Sequence, residues 1–212
     1  MHEYSVDVEN NKVIFYLSIV SIFISSVLTM IINLWIEKIP YIEITISITT
    51  ISIFGILYSL FDKFIWKWKI LHKLGIIKIP NLNGKWKGNF QSSYHDFKEN
   101  LPVILIIEQS WSKICIKGKF NHSKSSSDTA SIKVNLGKEI MLHYSYYNDK
   151  KPEYYKMGTS NHRGYANLEI NGNSMEGNYF NDPSNNKNWG KLNLKKLLNH
   201  KCIVEVHPNH TF

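Results

Sequence analysis

Late in this chain, residues suited to holding a planar, charged ligand recur at alternate positions. Tyr144 and Tyr146 are followed by His162-Arg163-Gly164, then by Tyr179 and Asn181, with Lys187 close behind. Tyrosine rings stack on flat heteroaromatic groups, a guanidinium makes paired bonds to phosphate oxygens, and a carboxamide matches the donor and acceptor edge of a base. Tyr146, His162, Arg163, Tyr179, Asn181 and Lys187 are therefore the candidate ligand-binding residues. Each also has a plain structural use: tyrosine as core filler with its hydroxyl at a rim, Arg163 in a salt bridge, Asn181 in a turn. The binding reading rests on their convergence.

No catalytic set accompanies them. The sequence contains no Gly-rich phosphate loop, no GxSxG, no HExxH and no pair of acids sharing one setting. The nine histidines are scattered, and Cys115 and Cys202 form no CxxC pattern, which argues against a zinc site and against a disulfide-stapled secreted domain. No enzyme activity, cofactor or metal is expected. DNA binding is equally unsupported, since neither a reading helix nor a basic stripe of defined spacing is present.

The elements that must position these residues have a β texture. From Leu82 onward, short alternating runs separated by turn residues fall near 84–91, 101–109, 112–120, 129–136, 139–147, 163–171, 174–181 and 188–196. Ile114, Ile116 and Gly118 alternate with Lys113, Cys115 and Lys117, and Ala130, Ile132 and Val134 alternate with Ser131 and Lys133. One face is buried and the other is wet. Such a series predicts an eight-stranded antiparallel up-and-down β-barrel, lipocalin-like but smaller, with room inside for side chains or one small ligand. Connectivity then sorts the loops. Tight turns at 110–111, 137–138 and 172–173 share one mouth with the start of the domain, where Trp86 points inward as a plug. Longer polar connections at 92–100, 121–128, 148–162 and 182–187 share the other, and the candidate residues converge there. Val103–Ile107 is apolar on both faces, so part of the outer wall is expected to be covered by another segment, a second copy or lipid.

Before the barrel lie two uncharged runs, 13–36 and 44–61, long enough for two transmembrane helices joined by an external loop at 37–43. Residues 1–12 read as a short acidic tail, 62–80 as a basic juxtamembrane linker, 81–197 as the barrel and 198–212 as a C-terminal tail. The first run is too long for a signal peptide and has no A-x-A site. Ser18, Ser21, Ser25, Thr29 and Asn33 form one stripe of the first helix, suited to packing within the hairpin or between copies. The stretch 44–53 alternates almost as a strand would, and its length and setting favour helix. Residues 1–61 carry two lysines and five acids, a net −3, which leaves +11 for residues 62–212. That charge suits a polyanionic ligand, nucleic acid or an anionic bilayer surface. Trp66, Trp68 and the lysines from Lys63 to Lys78 fix the barrel and both termini on the cytoplasmic side.

Two N-terminal spans, a basic linker, a strand opening Leu82-Asn83-Gly84-Lys85-Trp86-Lys87-Gly88, and the later Met175-Glu176-Gly177-Asn178-Tyr179-Phe180-Asn181 and Trp189-Gly190-Lys191-Leu192 resemble the membrane-anchored β-barrel effectors of CBASS antiphage signalling. The resemblance covers nearly the whole chain in architecture. It implies a receptor in the bacterial inner membrane for a cyclic dinucleotide made by a companion nucleotidyltransferase. It further implies assembly into a homo-oligomer on activation and disruption of the lipid bilayer by the transmembrane segments. A membrane-tethered carrier of a small hydrophobic ligand, and a partner-binding module without a ligand, stay open on the residues themselves.

Overall fold

A period-two pattern sends alternate side chains to opposite faces of a strand, and in the computed structural model the alternating runs close into a barrel. The structure describes residues 1–8, 11–39, 46–136, 139–155, 161–182 and 187–197. Two short strands, β1 (His2–Glu3) and β2 (Ser5–Val6), precede helices α1 (Asn11–Ile36), α2 (Thr50–Lys63) and α3 (Lys69–Lys73). The barrel staves are β3 (Gly84–Ser92), β4 (Leu101–Gln109), β5 (Lys113–Lys119), β6 (Ser123–Leu136), β7 (Glu139–Lys150), β8 (His162–Asn171), β9 (Ser174–Asn181) and β10 (Trp189–Lys196). Each stave pairs antiparallel with the next, and β10 returns to β3.

The last closure, between β5 and β6, is partial. Lys117, Gly118 and Lys119 pair with Ser126, Ser125 and Lys124, after which the two staves diverge. The N-terminal segment fills the gap: β1 pairs antiparallel with Lys113 and Ile114, and β2 pairs parallel with Ser131 and Ile132. His2 Nε2 lies 2.7 Å from Ser127 Oγ, which in turn accepts from Ile116 N at 2.9 Å. The first residues, expected as an acidic tail, thus complete the barrel wall.

The end of the barrel nearest the helices is solid. Trp86 is fully buried and donates its indole N–H to Leu82 O at 2.9 Å, while Leu82 N donates to Gln109 Oε1 at 2.8 Å. Gln109 Nε2 donates to the Tyr4 hydroxyl, which donates to Ser110 O. Asp62, at the end of α2, accepts from Ser110 Oγ and Ser112 N, and Trp111 packs edge-on against Phe61 at 5.2 Å. One apolar core therefore runs from Val13 and Phe61 through Trp66 and Trp86 into the barrel. Most polar groups among these rings are paired, as burial requires; the Trp66 indole N–H has no hydrogen-bond partner among the described residues.

α1 is long and apolar enough to cross a bilayer. The second apolar run departs from expectation. Its helix covers only Thr50–Lys63, 14 residues, or about 21 Å against roughly 30 Å of hydrocarbon. Residues 46–49 are not helical, and Thr49, the N-cap of α2, is extended. Non-helical backbone in an apolar medium needs partners, and the stripe on α1 supplies them. The Asn33 side chain donates to Ile46 O and accepts from Ile46 N, both at 2.9 Å, and Thr29 Oγ1 accepts from Ile48 N at 3.1 Å. Ser25 Oγ sits 3.0 Å from Thr50 Oγ1. Most of the expected external loop, like the tail from residue 198, lies outside the described residues.

On the outer wall, Ile104 and Ile106 are half-buried. Register sets Ile106 between Lys85 and Lys117, and Ile104 between Lys87 and Lys119.

Candidate ligand cavity

At the mouth opposite the helices the barrel holds a cavity of about 370 Å³, within the range of small-molecule sites. Its apolar base is formed by Phe90, Leu101, Phe120 and Leu192. Phe90 meets Phe120 edge-on at 5.3 Å and Tyr179 at 6.3 Å. Above them the wall turns aromatic and polar, with Tyr144, Tyr146, Tyr179, Ser92, Ser125, Asn148 and Asn181. The rim carries His95, His122, His162, Glu99 and Lys150.

β7 shows how this gradient is written. Leu142, Tyr144, Tyr146, Asn148 and Lys150 share one parity, so a single stave delivers an aliphatic residue to the core, two aromatics to the wall, then an amide and a cation to the mouth. The neighbouring staves make room for the rings. Gly164 is the cross-strand partner of Tyr146 and Gly190 that of Tyr179. A Cβ on Gly164 would collide with the Tyr146 ring, and one on Gly190 with Gln91 O and with Tyr179. Tyr146 and Tyr179 thus each lie over a glycine, and Tyr144 lies between Ala130 and Ala166.

Four of the six candidate residues line this cavity: Tyr146, His162, Tyr179 and Asn181. Tyr146 donates its hydroxyl to Asn181 Oδ1 at 3.1 Å, and His162 Nε2 lies 3.3 Å from Asn148 Nδ2. Burial raises the Tyr144, Tyr146 and Tyr179 hydroxyls above their ordinary range, with the Ser92 hydroxyl opposing the shift at Tyr179. These phenols stay neutral donors at any ordinary pH.

Arg163 and Lys187 are not brought to the cavity. Consecutive residues of a strand face opposite sides, so the inward turn of His162 sends Arg163 out, where it is exposed beside Tyr147 on the outer wall. Lys187 precedes β10 and is exposed, while Asn188 reaches the lining.

Asn148, Lys150, Ser125 and His122 were missed because two strands were drawn short. β7 runs three residues beyond 147, and β6 starts at Ser123, inside the stretch 121–128 expected as a loop. Parity from Tyr144 would have reached Lys150. A run of Ser and Lys carries no apolar alternation, so β6 gave no such signal.

Among the described residues no group of His, Cys, Asp and Glu is arranged to hold a metal ion. The comparisons with known proteins divide the chain as the fold does. Residues 77–196 match the family model described as Cap15, cyclic dinucleotide receptor domain, and residues 11–67 match Cap15, TM helices. A protein of Yersinia aleksiciae named CD-NTase-associated protein 15 is 32% identical over 194 residues, covering 85% of this chain and 90% of its own length. One of Staphylococcus schleiferi with the same name is 29% identical over 163 residues, covering 77% of this chain and 81% of its own.

Proposed function

The chain belongs to the Cap15 family, in which TM helices accompany a cyclic dinucleotide receptor domain, and from that premise we propose that a cyclic dinucleotide enters the far-mouth cavity and drives copies to assemble and breach the inner membrane. The observation that carries the binding step is the cavity itself: stacking rings at Tyr146 and Tyr179, amides at Asn148 and Asn181, and an apolar base, all inside the matched domain. Bases stack on such rings, and amides serve their edges. The protein acts as a CBASS effector without catalysis, and a companion nucleotidyltransferase supplies the ligand.

Topology supports the membrane reading. β1 and β2 join the barrel wall, so the chain leaves the barrel's side of the bilayer after residue 8 and returns before residue 84. Both termini are then cytoplasmic, with α1 and the run ending at residue 61 as the crossing pair and 62–80 as the linker. A second helix this short, preceded by non-helical residues that Asn33 and Thr29 bond, is a weak span, and the assembled state is where it gains partners. The outer Ile104 and Ile106 are the proposed contact between copies. A hydrophobe carrier is disfavoured by the amides and histidines at the mouth.

The test is to challenge the detergent-solubilised full chain with a panel of cyclic dinucleotides, reading thermal stability, particle size, and dye release after reconstitution. At least one member is expected to raise the melting temperature and the particle size together. No shift with any member would overturn the reading.

A further inference from the structure

Lys150 lines the rim of the ligand cavity, and its Nζ is shut off from solvent and without a hydrogen-bond partner among the described residues. Asn148 Oδ1, one inward step below it on β7, is in the same condition. An ammonium buried without a counter-charge is costly, and proteins keep such groups where something else completes them. Here the remaining rim chemistry is titratable or acidic: His95 faces Glu99 at 3.4 Å, and His122 stacks on Tyr154 at 4.3 Å. The other lysine of this corner is engaged elsewhere, Lys151 Nζ donating to Asn121 O at 2.6 Å. Arg163 and Lys187 lie outside the cavity.

Resting on the cyclic dinucleotide reading, we infer that Lys150 is the anion subsite of this cavity, taking one phosphodiester of the ligand, while the Asn148 carbonyl oxygen accepts a hydrogen bond from the ligand's base or sugar. The backbone holds the lysine in place for this. Lys150 N donates to Asn161 Oδ1 at 2.9 Å, and the residue ends a stave paired through Ser123 to β6. The ammonium is therefore presented by a strand end, not by a free loop. A fixed charge with its desolvation already met in the empty protein gains more from an incoming anion than a surface lysine does.

The experiment compares the wild-type full chain with Lys150→Met, Lys150→Arg and, as an outer-wall control, Arg163→Met, by calorimetric titration with the cyclic dinucleotide panel and by melting without ligand. Lys150→Met is expected to weaken binding on the order of 10- to 100-fold and to flatten its salt dependence. It is also expected to raise the melting temperature of the empty protein, because an uncompensated charge has been removed. Lys150→Arg keeps most of the affinity, and Arg163→Met changes nothing. A Lys150→Met protein that binds as tightly as the wild type overturns the subsite and leaves the receptor reading intact, as does one that melts lower when empty with affinity unchanged. A wild type that binds no member of the panel overturns the receptor reading and the subsite with it.

Discussion

The two ends of this barrel are built from the same staves and treat polar groups in opposite ways. At the end facing the helices, Trp86, Leu82, Gln109, Tyr4 and Ser110 form a continuous series of donors and acceptors, and Asp62 ties it to α2. At the far end the staves carry amides and phenols around a void whose rim includes Lys150, and Lys150 Nζ and Asn148 Oδ1 have no hydrogen-bond partner among the described residues. The closed end has spent its hydrogen bonds on the fold, the Trp66 indole N–H excepted, and the open end has kept some in reserve at the cavity. Changes at the closed end should therefore register in stability, and changes at the open end in ligand affinity.

The largest break expected is at the plug. Trp86→Ala removes a fully buried ring and should cost about 3–5 kcal/mol of unfolding free energy, read by denaturant titration. A loss confined to ligand affinity would erase the contrast. Gln109→Leu comes next, since it leaves Leu82 N unpaired in the core; a loss of about 1–3 kcal/mol is expected by the same measurement.

At the open end, Asn181→Ala removes the acceptor of the Tyr146 hydroxyl. Binding is expected to weaken about tenfold, or about 1.4 kcal/mol, with a smaller change in stability. The reverse ratio would make Asn181 a piece of the wall. The smallest effect sharpens the comparison through pH. Burial lifts the Tyr4 hydroxyl to about 12 from its ordinary 10.0. The unfolded chain then gives up this proton first, so the stability tied to it is complete below about pH 10 and is lost as pH rises through about 12. Tyr4→Phe should cost about 1 kcal/mol at neutral pH and make the alkaline decline shallower. The decline persists in part, because the three cavity tyrosines are raised as well.

Much of this was legible beforehand, for a local reason. Strand parity is a period-two property of neighbouring residues, so the eight staves, the inward plug at Trp86 and the inward direction of Tyr146, Tyr179 and Asn181 can be read from order alone. The same rule, applied strictly, would have removed Arg163 once His162 was turned inward. The polar stripe on α1 was visible too, but not that Thr29 and Asn33 would serve a non-helical backbone, because that depends on where the second run stops being helical.

An apolar first helix, a basic barrel and the alternation that gives each stave an inside follow from residue order alone. Folding in three dimensions sets which ends of those staves meet, that β1 and β2 complete the seam between β5 and β6, and that Lys150 rather than Arg163 or Lys187 lines the cavity. Inside and outside are set residue by residue through the pleat. Convergence is set by register, strand length and closure, which join residues a hundred positions apart and leave no local signature.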